Sequence, residues 1–216
     1  MVQRFMASNT NPDELIPPHR LEEIFKIAFQ LLLRKGREAA NMDAVAEAAD
    51  IDADLLRQRF EGEHDLVAPA MRWYFMRFSQ QVSSSSAMYA DIYSCMYLML
   101  TDFAELCEQQ NRIEGSLYWS TIGEIGRFDP VLGEEYLALR LEWAAEIRRR
   151  LVKFESDLQT PEDIDHLVDY FMMAFEGIIQ MVKFETPLDQ IFPAIDITME
   201  ALTSRMKKSP NMPGSK

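Results

Sequence analysis

Between residues 20 and 66 the apolar side chains recur at steps of three and four and the pattern breaks at Gly36, which constrains the segment to short helices folded on one another. Leu21, Ile24, Phe25, Ala28, Phe29, Leu31 and Leu32 form the stripe of a helix buried on one face. Gly36 is predicted to end that helix, and Asn41 to cap a second one whose inward residues are Met42, Val45, Ala46 and Ala49. A turn at Asp50-Ile51-Asp52 follows, and Asp52 is placed to cap a third helix carrying Leu55, Leu56 and Phe60. Two short helices meeting across a tight turn make a helix-turn-helix, with the third helix as the reader.

Beyond Leu66 the spacing stays helical, without alternating strand runs, a glycine-rich phosphate loop or an internal repeat. Helices are predicted over 64–81, 87–110, 112–127, 130–155, 161–184 and 187–206. Breaks fall at the serine run from Ser83 to Ser86, at Asp129-Pro130, at Thr160-Pro161 and at Thr186-Pro187. The expected architecture is all-α. A helix-turn-helix head spans 18–66, a helical body spans 67–206, and a polar tail with Pro210, Pro213 and Gly214 spans 207–216 and is expected to be disordered. A chain of 216 residues, 48% hydrophobic, can bury such a core. No apolar run reaches the roughly 18 residues that cross a bilayer, and the first residues lack a signal core, so no membrane is expected and the cytoplasm is the expected location. Cys95 and Cys107 lie twelve positions apart on one predicted helix, about 18 Å, too far to pair. They read as small apolar core residues.

Gly36, Val45-Ala46, Ala49, Ile51, Leu56, Phe60 and Leu66 fall, without a gap, in register with a known N-terminal signature: a glycine, two threonines, an Ile-Ala pair, an Ala-Gly-Val-Ser turn, Leu-Tyr, His-Phe, a lysine and a leucine. The segment, about a fifth of the chain, resembles the tetracycline-repressor-like (TetR) regulators. The departures gather on positions that face DNA in that family. Ala40 and Asn41 stand for the threonines, Asp50 for the turn glycine, Asp52 for the capping serine, Arg57 for the tyrosine, Arg59 for the histidine and Glu63 for the lysine.

The resemblance implies a homodimer on duplex DNA, a transcriptional regulator of the repressor kind. Arg37, Asn41, Arg57, Gln58 and Arg59 are its candidate DNA contacts, since Arg and Gln read guanine and adenine edges in the major groove. Against this, residues 20–66 hold seven basic side chains and eleven acidic ones, a net charge of minus four, within a chain of net charge −13. Phosphate neutralisation supplies most non-specific DNA affinity, so this is a poor electrostatic footprint. Asp50, Asp52 and Asp54 also suit a helix N-terminus through capping and the dipole. The alternative is a TetR-like fold that has lost DNA binding and acts by binding a small molecule or a protein.

In the body, Met88, Tyr93, Met96, Tyr97, Leu100 and Phe103, then Trp119, Phe128, Trp143 and Phe175, are candidate walls for a small, largely apolar effector, a site the family resemblance places in this region. The same residues also read as ordinary core. Leu167, Phe171, Ala174, Phe175 and Ile178, with Ile195, Met199 and Leu202, form two apolar faces that the resemblance assigns to a dimer interface. The small Ala174 and Gly177 permit close approach, and the other reading spends both faces inside one subunit. Catalysis finds no support: His19, His64 and His166 are scattered and no nucleophile motif occurs. Glu61-Gly-Glu-His64 matches Glu-x-x-His only once, where di-iron bundles use it twice, so no metal and no cofactor is expected.

Overall fold

The computed structural model describes residues 16–86, 89–114, 118–160 and 163–207, with side chains other than those of 85–86, 113–114 and 118–120. Among these residues there are nine α-helices and no strand. The expected tail, apart from Lys207, lies outside the described residues.

Helix α1 spans Pro18–Lys35, with a proline at its first position, where the missing N–H costs nothing. Ile24, Ala28, Phe29 and Leu32 are fully buried along its stripe. At Gly36 the chain takes φ 84°, and the glycine N–H is donated to the Leu32 carbonyl. A side chain at that φ would be strained, which is why the helix stops there. A single 3-10 turn, Arg37–Ala39, leads to α2, Met42–Ala49. The Asn41 Oδ1 accepts the Ala44 N–H at 2.9 Å and caps α2 as its sequence position predicts. Asp50 turns the chain in the left-handed region at φ 51°, so this turn is built without the glycine that the TetR signature carries. Asp52 then accepts the Asp54 N–H at 2.9 Å and starts α3, Ala53–Arg59.

Helix α4 runs over Glu63–Ser86. The chain divides into two compact units between Tyr74 and Phe75, within α4, and not at residue 66. The reason is visible at Tyr74, whose ring stacks on Phe29 of α1 at 4.2 Å between centroids. The start of α4 therefore packs with the head helices.

The second unit continues through α5 (Ile92–Glu114), α6 (Tyr118–Ile125), α7 (Pro130–Lys153), α8 (Ile164–Lys183) and α9 (Leu188–Thr203). Helix α5 is its axis: α7, α8 and α9 all pack against it. Asp129 caps α7 through the Leu132 N–H at 3.2 Å. The serine run, expected as a break, stays helical to Ser86. Hydroxyls here bond the helix's own backbone, Ser79 to the Met76 carbonyl and Ser84 to the Gln81 carbonyl, so serine does not open the helix. The expected 112–127 helix is also divided differently: α5 carries on to Glu114 and α6 begins at Tyr118. Between α6 and α7 two glycines touch. A Cβ added at Gly133 would sit 2.6 Å from the Gly126 carbonyl oxygen, so neither position has room for a side chain.

Candidate functional site

The helix-turn-helix of the first unit brings Arg57, Gln58 and Arg59 onto α3. Gln58 is exposed, and Arg57 has half its side chain in solvent. The Arg57 guanidinium donates to Asp54 at 3.1 Å and also pairs with Asp43 of α2. Held first by Asp54 and then by Asp43, it is raised above its ordinary value. Arg59 is half-buried, its guanidinium carbon 5.2 Å from the centre of the Phe60 ring. Arg37 lies just before α2 and pairs with Glu63 at 3.2 Å. Asn41 spends both ends of its amide on the backbone, since its Nδ2 also donates to the Glu38 carbonyl at 2.9 Å. Sequence reasoning missed Asp43, which meets Arg57 from the neighbouring helix. Only the crossing of α2 and α3 reveals that contact.

In the second unit the candidate effector walls separate into three groups. Phe103, Trp143 and Phe175 interlock, with centroids 4.7 Å apart for Phe103 and Phe175, 5.3 Å for Trp143 and Phe175, and 5.8 Å for Phe103 and Trp143. Met96 and Leu100 are fully buried. The space left beside the triad is about 20 Å³, enough for one water and no more. Tyr93 and Tyr97 stack on each other at 6.0 Å. The Tyr97 hydroxyl is raised by burial and by Asp196 of α9, to which it is hydrogen-bonded, so this side of α5 addresses α9. Phe128 is 89% exposed in the turn before α7, where a ring in solvent encloses nothing. Met88 and the Trp119 side chain lie outside the described residues.

An open cleft of about 660 Å³ lies between α6, α7 and α8, walled by Tyr136, Glu176, Gln180 and Lys183. Arg140 grips Glu176 through Nε at 2.9 Å and Nη2 at 2.6 Å, and Lys183 pairs with Glu124 at 2.5 Å. Tyr136 is raised by burial and by Glu176.

The faces expected at a dimer interface need correction. Leu167, Phe171, Phe175, Ile178, Ile195, Met199 and Leu202 are buried within the subunit, and Ala174 is half-buried. The most apolar stripe of each helix goes to its own core, since α8 and α9 must both cover α5. Exposed apolar side chains remain at Met173 on α8 (65%), at Phe184 just after it (78%) and at Ile197 on α9 (68%), and Gly177, one turn after Met173, is exposed as well. No Cβ at Gly177 would meet any atom within 4 Å.

Among the described residues no group of three or more His, Cys, Asp or Glu side chains could hold a metal ion, and no helix is long and apolar enough to cross a membrane.

No family model matches the sequence. No curated protein matches it either. Solved structures do. A TetR transcriptional regulator from Chloroflexus aurantiacus superposes with a TM-score of 0.74 at 14% identity, covering 88% of this chain and 98% of that one. A transcriptional regulator from Rhodococcus sp. Rha1 gives 0.68 at 17% identity, over 89% and 99%. A cysteine mutant of the TetR-family regulator CifR, solved with 26-base-pair double-strand operator DNA, gives 0.71 at 15% identity, over 92% and 99%. Superposition over most of both chains, together with the helix-turn-helix of α2 and α3, makes the fold of this chain that of the TetR-family transcriptional regulators.

Proposed function

We propose that this protein is a transcriptional regulator, of the repressor kind, that binds operator DNA as a homodimer and releases it when the helical body takes up a small effector. The observation that carries this reading is α3, a capped helix across a tight turn from α2 that presents Arg57 and Gln58 at the surface. The fold likeness to CifR, whose structure contains operator DNA, supports it. Arg57, Gln58 and Arg59 make the base and phosphate contacts in this proposal, and Arg37 and Asn41 flank them at the start of α2. Two subunits join through the outward stripe of α8 and α9, with Met173, Ile197 and Phe184 around the open Gly177. The effector works by binding the DNA-incompetent state of the dimer more tightly than the competent one, since equal affinity for both shifts nothing.

A second reading, in which the fold has lost DNA binding and acts through a small molecule or protein partner, is favoured by one observation. The basic side chains that should face phosphate are already occupied by acids, Arg57 by Asp43 and Asp54, and Arg37 by Glu63. Binding of the purified protein to random duplex DNA and to a site-selection library, at low and at physiological salt, decides between the two. Affinity that falls steeply with salt and enriches a palindrome establishes the regulator. No binding even at low salt establishes the second reading.

A further inference from the structure

The second half of α4 and α7 enclose a cleft of about 310 Å³ whose apolar lining is Phe75, Met76 and Trp143 and whose acidic lining is Glu142 and Glu146. Through Gln80, Ser83 and Arg149, which line both, it continues into a cleft of about 510 Å³ that also holds Arg150 and Lys153. The deeper cleft has no acidic residue in its wall. One carboxylate, Glu146, serves two of the three cations. Its Oε1 accepts from Arg150 Nε at 2.8 Å, and its Oε2 from Arg149 Nε at 3.0 Å. Arg150, only 6% exposed, is fixed further by the Ser83 carbonyl at 3.1 Å and the Cys95 sulfur at 3.8 Å. Lys153 lies 4.9 Å from the centre of the Phe154 ring and has no acid partner among the described residues. Glu142 adds a second carboxylate to the lining, so along the joined clefts three cations face two acids, an excess of one positive charge in a chain whose net charge is −13.

The Trp143 indole nitrogen is buried and has no acceptor among the described residues, although a buried donor left unpaired costs about 1–3 kcal/mol. Trp143 lines this cleft, and an apolar ligand chain beside it leaves the donor unpaired, so the orphaned N–H does not select the ligand.

We infer that the α4–α7 cleft binds an amphipathic organic anion. Its carboxylate or phosphate head lies against Arg149, Arg150 and Lys153, and its apolar part runs back along Met76 to Trp143. Arginine suits such a head because its planar fork matches either oxyanion, and Arg150 is already held in place before the ligand arrives. The Ser83 and Gln80 side chains lie between the two ends and supply polar groups along the way. The inference deepens the effector reading by giving the ligand a charge and a direction, and it rests on the helical body binding a small molecule.

The test is titration calorimetry on the full chain, without DNA, using octanoate, octyl phosphate, octanol and inorganic phosphate as probes. One or both eight-carbon anions bind saturably, and their order separates a carboxylate from a phosphate head. Octanol and inorganic phosphate bind far more weakly, since each carries half of the recognised chemistry. Lys153→Gln and Arg149→Gln, both at exposed side chains, weaken the better anion about tenfold each, the loss of one charged hydrogen bond, with an unchanged circular dichroism spectrum. Octanol binding as tightly as the anions overturns the anionic site but leaves an effector pocket in place. Inorganic phosphate binding as tightly as octyl phosphate overturns the amphipathic one. Variants that bind like the parent, or no binding by any amphiphile, overturn the inference altogether. None of these outcomes bears on DNA binding, which the duplex experiment reads separately.

Discussion

Arg57 of α3 and Asp43 of α2 form an ion pair across the helix-turn-helix, and Asp54, one turn before Arg57, completes a clamp around the guanidinium. Helix α3 thus carries an arginine already paired with two carboxylates. Under the proposed function, opening this clamp belongs to the cost of binding DNA, while closing it gives little stability, since an exposed pair contributes about 0.2–1 kcal/mol.

Asp43→Asn therefore strengthens duplex binding by about threefold or more, through a freed arginine and one acid fewer beside the phosphates. Arg57→Ala has the opposite sign and costs roughly 1–3 kcal/mol if Arg57 reads a base. Fluorescence anisotropy with one labelled duplex measures both. Equal affinity for the parent and Asp43→Asn would show that the carboxylate does not compete with DNA.

Ile197→Glu and Met173→Glu place charge on the outward stripe of α8 and α9, and each shifts the protein from dimer to monomer in sedimentation velocity at micromolar concentration. Both side chains are at least 65% exposed in the subunit, so its stability changes by about 0.5 kcal/mol or less. A dimer unaffected by both variants excludes this face as the interface.

Burial alone pushes the Glu146 carboxyl up, but hydrogen bonds from Arg149 and Arg150 outweigh burial and hold it below the ordinary 4.5. Its folded value is below its unfolded one, so the stability it contributes is complete above about pH 4.5 and is lost as pH falls through the lower folded value. Glu146→Gln removes that part of the pH dependence. Melting temperature plotted against pH falls less steeply for the variant below about pH 4.5, and parallel acid limbs would contradict the assignment.

Gly133→Ala destabilises the body by about 1–3 kcal/mol, an overpacking cost, because the new methyl meets the Gly126 carbonyl at 2.6 Å. Gly177→Ala, made in the Ile197→Glu background so that the proposed interface is not involved, has open space around it in the subunit, costs nothing comparable and gains about 0.5–1 kcal/mol of helix propensity. Urea unfolding of the two variants side by side checks the contrast.

The head was legible in the sequence because its signals are local. Gly36, Asn41 and Asp52 each act within a few residues, and the helix boundaries follow them. The body was legible in its helical period but not in its pockets. Phe103, Trp143 and Phe175 were chosen as walls from their size, yet size alone does not distinguish a wall from a plug. Phe128 and the α8 stripe failed for a related reason: helical spacing says which residues share a face, and only the neighbouring helices say which face is covered. The cationic cleft escaped notice because Ser83, Arg149 and Lys153 come from two helices far apart in sequence, and on each helix alone the charges look like solvated surface.

If the body takes up a small molecule as proposed, the position of Trp143 shapes how it does so. The same indole ring lines the nearly filled cavity beside Phe103 and Phe175 and the open α4–α7 cleft. It is a party wall between two rooms, and whatever swings it to enlarge one narrows the other. Under the effector reading, two molecules of unrelated shape compete for this protein without ever sharing an atom's worth of space.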